Sequence, residues 1–296
     1  MRALQFSEFG PAGVLHVADA AEPHAGPGQI RVAVRASGVS PADAALRAGR
    51  FGAVVPLPHV PGVDAAGVVD EIGDGVTGVR PGDEVFGMVD LARFGGANAE
   101  YAVLAAWAPR PAALSWEQAG GAATSAETAT RALDLLEVRD GTTVLIAGAA
   151  GGVGTAAVQL ALARGARVIG TAGQDTQDFV AGLGAIPVVY GEGLADRVPE
   201  ADVVLHCAGE VDDLVAIAGS PDRVLTITGA QGVRSTSTMG PGADPQALHG
   251  LGDAAALADK GRFTVPLAGV FPLDEGPAAH ELSETGHAHG KIVLVS

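Results

Sequence analysis

The chain has 296 residues, 48% hydrophobic and 18% charged, which is enough to bury a sizeable core in one large domain or two ordinary ones and excludes a disordered chain. A formal net charge of −16 gives no electrostatic reason to bind nucleic acid or an anionic membrane, so an anion site must be built locally from backbone N–H groups or a few arginines. The one cysteine, Cys207, rules out an intramolecular disulfide and a multi-thiolate zinc site; together with an N-terminus lacking a signal-peptide apolar region, it fits a reducing cytoplasm.

Residues 1–108 read as mostly β. Residues 29–36 alternate polar and apolar, as a half-buried strand does, and residues 66–73, 84–88 and 99–104 continue the series. Short strands separated by Gly/Pro turns imply a small barrel. Residues 41–49 form a short helix with a glycine stop.

From Ser115 the pattern changes. Ser115 with Gln118 three positions on is a capping-box-like helix start, and residues 128–136 form a second helical segment. Strands at residues 143–147, 166–171, 187–190, 203–207 and 223–228 then alternate with helical stretches, among them 178–182 and 212–218. That alternation implies a doubly wound α/β domain with a parallel sheet. Residues 231–245, rich in Ser, Thr and Gly, read as an exposed, mobile loop able to cover a cleft. Residues 247–260 form one more helix, and the strand-like tail ending in Lys291–Val295 is expected to complete the first domain.

The chain is organised around the run from Thr143 to Ala163, a β-branched stretch, a cluster of small residues and an Ala-rich helical pattern. Strand, glycine turn, helix is the context in which such a motif binds a dinucleotide: Gly151 lets the backbone approach a pyrophosphate, Gly154 lets helix pack on strand, and the helix N-terminus offers free N–H groups. The first glycine of the usual pattern is replaced by Ala149, with Gly148 before it. The span is uncharged and long enough to cross a bilayer, but the glycines interrupt it, and a buried strand plus helix explains it better.

With this order in view, the chain resembles the medium-chain dehydrogenase/reductase superfamily in its zinc-independent quinone oxidoreductase branch. The matching pieces are residues 28–39, 61–69, 80–87, 147–154 and 286–295, in that order. The resemblance implies a GroES-like β-barrel catalytic domain (1–114 and 265–296) and a Rossmann dinucleotide-binding domain (115–264), and relatives often pair as homodimers through the edge strand of the nucleotide sheet, here residues 223–228. In zinc-dependent relatives a Cys and a His-Glu pair stand where this chain has Ser40, Val63 and Asp64, so no catalytic zinc is expected; His280, His287 and His289 form no convincing metal scaffold.

Members of the branch pass hydride from NADPH to an enone or quinone. On the resemblance, the pyrophosphate lies at Ala150, Gly151, Gly152 and Val153; the adenosine meets Thr171, Gly173, Asp175 and Tyr190; Ala208, Gly209, Thr228 and Gly229 approach the nicotinamide side; and Ala149, Gly154 and Lys291 are further cofactor-binding candidates. A 2′-phosphate wants Arg or Lys, but residues 173–178 have none and carry Asp175 and Asp178; an acidic residue about 20 positions beyond the glycine turn favours a ribose hydroxyl, hence NAD(H). NADP(H) stays open through Arg197 or Arg234. Many quinone reductases hold the substrate oxygen with an Asn and a Tyr where this chain has Ser40 and Ala45; Thr124, Thr128, Asn98 and Tyr101 are further polar candidates, and His206 reads either as a proton donor or, in preference, as a hydrogen-bonded strand-end histidine. Two other readings stand beside the reductase: a non-redox tailoring enzyme such as a cyclase on the same fold, and a non-catalytic sensor of nicotinamide redox state.

Overall fold

The computed structural model describes residues 1–198, 200–238 and 242–295. Two compact units are present, Met1–Thr124 with Leu251–Ser296, and Ser125–Gly250.

The first unit begins with the hairpin β1 (Arg2–Gln5) and β2 (His16–Asp19), followed by β3 (Ile30–Val39), helix α1 (Pro41–Arg47), β4 (Asp64–Ile72), β5 (Glu84–Val89), β6 (Tyr101–Pro109) and helix α2 (Trp116–Gly120). β3 pairs with β4 on one side and with β6 on the other, so β3 to β6 close on themselves as the barrel the alternating pattern implies. Ile30, Val32, Val69 and Leu104 fill the interior, each on the apolar phase of its strand. Ser115 caps α2 by the capping box read from the sequence, its side chain accepting from Gln118 N while Gln118 reaches back to Ser115 N.

The second unit holds α3 (Ala123–Leu135), β7 (Thr143–Ala147), α4 (Gly152–Ala163), β8 (Arg167–Ala172), α5 (Gln177–Gly182), β9 (Ile186–Val189), α6 (Leu194–Arg197), β10 (Val203–His206), α7 (Asp212–Ala218), β11 (Val224–Thr226) and β12 (Arg234–Ser235). All pairs are parallel, in the order β12-β11-β10-β7-β8-β9. Val144, Leu145 and Ile146 are fully buried, the unbroken apolar run of a strand covered on both faces. The order reverses between β7 and β10, and in open α/β sheets ligands bind beyond the carboxyl ends of the strands at such a point. The expected edge, residues 223–228, is corrected here: β11 is covered by β12, which is itself the edge.

The chain then passes through α8 (His249–Ala258) to β13 (Leu267–Pro272), α9 (Gly276–Glu284) and β14 (Lys291–Val295). β14 pairs antiparallel with β3 and parallel with β13, so the tail completes the sheet of the first unit. Leu46, Ile292 and Leu294 join Leu4 and Phe6 in a second core of that unit.

Candidate active site

The candidate dinucleotide site lies in the second unit, where β7 runs into α4. Gly148 has φ +86°, a conformation that side chains rarely adopt, and a Cβ there would lie 3.0 Å from that of Ala208, at the end of β10. A Cβ at Gly154 would land on the Gly148 carbonyl oxygen, so only glycine permits this approach of helix to strand. Gly151, by contrast, has an ordinary φ of −78° and open space where its side chain would be, the nearest atom being 3.5 Å away. It is the N-cap of α4, and no side chain caps that terminus. A 12-residue helix thus presents uncapped N–H groups at the switch point of the sheet, a geometry that fits a pyrophosphate. Ala149, Ala150, Gly152 and Val153 supply the rest of the turn.

Thr171 is buried, and its hydroxyl accepts from Gly148 N at 3.1 Å while its carbonyl accepts from Ala149 N at 2.9 Å. It therefore holds the turn in place, a role that the residue type alone did not reveal. Beyond β8, Gly173 starts a turn that leaves Asp175 exposed, and Tyr190, 60% exposed, packs beside Gly173. Arg197 donates to the carbonyls of Val189, Gly191 and Glu192, and Arg234 to that of Leu135, so each guanidinium already has partners.

On the other side of the switch point, His206 closes β10. It is 2% exposed, and both ring nitrogens are engaged: Nδ1 with Thr226 Oγ1 at 2.8 Å and Nε2 with the Gly209 carbonyl at 3.0 Å. A carbonyl only accepts, so Nε2 donates to Gly209. Of the two readings of His206, the geometry matches the hydrogen-bonded strand-end histidine: the imidazole braces two loop starts and has no ring nitrogen free. Thr228 extends the cluster, its Oγ1 lying 3.0 Å from that of Thr226, and Ala208, Gly209 and Gly229 lie at the same carboxyl edge.

The first unit, taken by itself, holds a polar cluster around two buried carboxylates. Asp64 Oδ2 accepts from Lys291 Nζ at 3.1 Å and Thr124 Oγ1 at 2.6 Å, and Oδ1 from Thr124 N at 2.7 Å. Two sequence candidates, Thr124 and Lys291, thus come together on one carboxylate. Asp43 accepts from Ser40 N at 2.8 Å, Ser40 Oγ at 2.6 Å and Gly62 N at 3.0 Å. Burial pushes its carboxyl above the usual carboxylate range, against the hydrogen bonds from Ser40 and Gly62, and nearby Asp64 pushes the same way. Ser40 is corrected accordingly: its hydroxyl proton is held by Asp43, and it caps α1 in a capping box. Asp43 was missed, although Ser40-x-x-Asp43 after a strand is a visible capping signal. Asn98 is fully buried and accepts from Ser37 Oγ at 2.9 Å, and Tyr101 lies under the Arg31 guanidinium, 4.9 Å from its ring centre. Thr128 belongs to neither group: its hydroxyl donates to Glu127 at 3.2 Å within α3.

Residues 26–115 match the family described as alcohol dehydrogenase GroES-like domain, and residues 146–294 that described as zinc-binding dehydrogenase. The chain is 31% identical to the chloroplastic NADPH-dependent alkenal/one oxidoreductase of Arabidopsis thaliana, over 99% of this chain and 79% of that one. It is 33% identical to the quinone oxidoreductase of Sus scrofa, over 100% and 98%. Among solved structures, the quinone oxidoreductase from Coxiella burnetii superposes with a TM-score of 0.87 at 29% identity over 100% and 99% of the chains, and an NAD-dependent alcohol dehydrogenase with 0.88 at 29% over the whole of both.

The residues present do not fit the zinc that the second family description implies. Among the described residues no three His, Cys, Asp or Glu side chains converge on a common point. Ser40 and Val63 offer no thiolate or imidazole, and Asp64 is already neutralised by the Lys291 ammonium. With both family models in order along the chain, and the barrel, parallel sheet and uncapped glycine turn they imply, the chain belongs to the medium-chain dehydrogenase/reductase superfamily, in its quinone oxidoreductase-like branch.

Proposed function

We propose that this chain is a zinc-independent reductase that uses a nicotinamide cofactor to reduce a quinone or an α,β-unsaturated carbonyl compound. The observation that carries the proposal is the glycine turn at the sheet's switch point, with an uncapped 12-residue helix behind it. The turn is adapted to a dinucleotide, and the relatives named above for quinone and alkenal reduction lend the reaction class. When bound, the nicotinamide supplies the hydride.

The chain's own contribution is positioning. N–H groups of Gly152 and Val153 would hold the pyrophosphate, Thr171 fixes the glycine turn, and the His206–Thr226 brace sets the loop containing Ala208 and Gly209. We assign NADH as the preferred form. Asp175 stands exposed in the first turn after β8, residues 173–178 hold no cation, and Arg197 and Arg234 are engaged by backbone carbonyls. On this reading the enzyme works in the cytoplasm as a homodimer, joined through the short edge strand β12. Loss of nicotinamide absorbance with a panel of quinones and enones tests the activity. Absence of turnover with both NADH and NADPH overturns it, and a cofactor bound without turnover returns the chain to the sensor or tailoring readings.

A further inference from the structure

Residues 231–245 read from the sequence as an exposed, mobile loop able to cover a cleft, but β12 lies inside that stretch, and Thr236 within it and Ala247 just beyond it are tied to α3; residues 239–241 lie outside the described residues. β12 runs parallel to β11, so Thr236 emerges at the carboxyl edge of the sheet, and its N–H donates to the Thr226 carbonyl at 3.1 Å. The Arg131 guanidinium donates to the Thr236 hydroxyl, which in turn donates to Asp244 at 2.7 Å. Asp244 also accepts from Ser237 N. Arg131 is paired on its other side with Glu127, Nε to Oε1 at 2.8 Å and Nη2 to Oε2 at 3.2 Å. Glu127 Oε1 accepts as well from Ala247 N at 3.1 Å, beyond the far flank of the segment, and Oε2 from Thr128. Glu127, Arg131 and Thr236 are all buried.

We propose that Arg131 and Glu127 are positioning residues for cofactor binding, acting through Thr236 and Ala247. The argument rests on the dinucleotide reading above. Three features carry it. The ion pair is buried with its carboxylate fully used, so it has one arrangement, and breaking it exposes an unpaired buried charge. It holds Thr236 within the stretch and Ala247 just beyond it, both remote in sequence from α3. Its grip on Thr236 continues through Thr226 to His206 and the Gly209 carbonyl, the group of strand ends nearest the switch point on that side. Thr236 and Ala247 are therefore fixed points at the carboxyl edge, and the pair sets where they stand before a ligand arrives.

The test uses the full chain and two substitutions. Thr236→Val removes only the hydroxyl that Arg131 grips, keeping the shape and the buried pair; Arg131→Lys keeps the charge on Glu127 but cannot serve both sites. Backbone amide exchange at Thr236, Ser237 and Ala247, with NADH and NADPH affinity and turnover, is measured for each. The expected result is exchange at these amides at least about tenfold faster in both variants, with the dissociation constant of the preferred cofactor weakened about five- to tenfold and kcat reduced less than twofold. Unprotected amides in the unaltered protein, or exchange and affinity both unchanged in Thr236→Val, overturn the proposal; so does a lowered melting temperature with unaltered cofactor affinity in Arg131→Lys, the mark of a structural role alone. If the unaltered protein binds neither cofactor, the dinucleotide reading fails and this proposal with it; protected amides that Thr236→Val releases then show that only the tether remains.

Discussion

His280 sits in α9 with no exposure and no hydrogen-bond partner on either ring nitrogen. Burial, with the Arg47 cation beside it, lowers its pKa from 6.5 to about 4, and Glu284 opposes the shift only weakly. Between these values the unfolded chain takes up a proton that the folded chain refuses, so stability falls as pH drops from about 6.5 to about 4 and is unaffected above that window. The loss approaches about 3 kcal/mol at the acid end. Denaturant melts of His280→Leu should lack this acid limb, and an identical pH profile in that variant would refute the assignment. Asp175 governs a different choice. Its replacement by Asn should improve NADPH affinity by about tenfold and weaken NADH, because a carboxylate repels a 2′-phosphate and accepts from a ribose hydroxyl. Titration of both cofactors decides it, and an unchanged ratio places the selectivity elsewhere.

At the scale of the element, the β7–turn–α4 unit separates two glycines that look alike in the sequence. Gly154→Ala puts a methyl against a backbone carbonyl, so it should cost about 1–3 kcal/mol of stability. Gly151→Val meets no such obstacle, so the melting temperature should stay within about 2 °C while a pyrophosphate is shut out and cofactor affinity falls at least about tenfold. Thermal melts and titration on both variants check the contrast, and equal effects would show that the turn does not discriminate packing from binding. Elements of this kind were legible because their partners are local: Ser115 and Gln118 are three residues apart, and the apolar run of β7 is its own signal. β12 was not legible. It is two residues long, too short for any periodicity, and hiding it turned β11 into a false edge.

Across the whole molecule, the illegible contacts are those that join distant parts of the chain. A Ser/Thr-rich stretch reads as exposed because hydroxyls are at ease in water, yet Thr236 is buried against Arg131, 105 residues away. Thr124, Asp64 and Lys291 were each visible as single polar residues, but their convergence depends on β14 returning to β3. That return makes Lys291 the cation of a buried pair spanning 227 residues, and it sets the last prediction. Lys291→Met leaves Asp64 buried and charged, which should cost about 3–5 kcal/mol, whereas Lys291→Met with Asp64→Asn removes both charges together. The double variant should therefore be more stable than the sum of the two singles implies, by more than about 1 kcal/mol. Denaturant midpoints of the three variants supply the cycle. Strict additivity would mean that the two side chains do not sense each other, and the tail would then be held by strand pairing and its apolar residues alone.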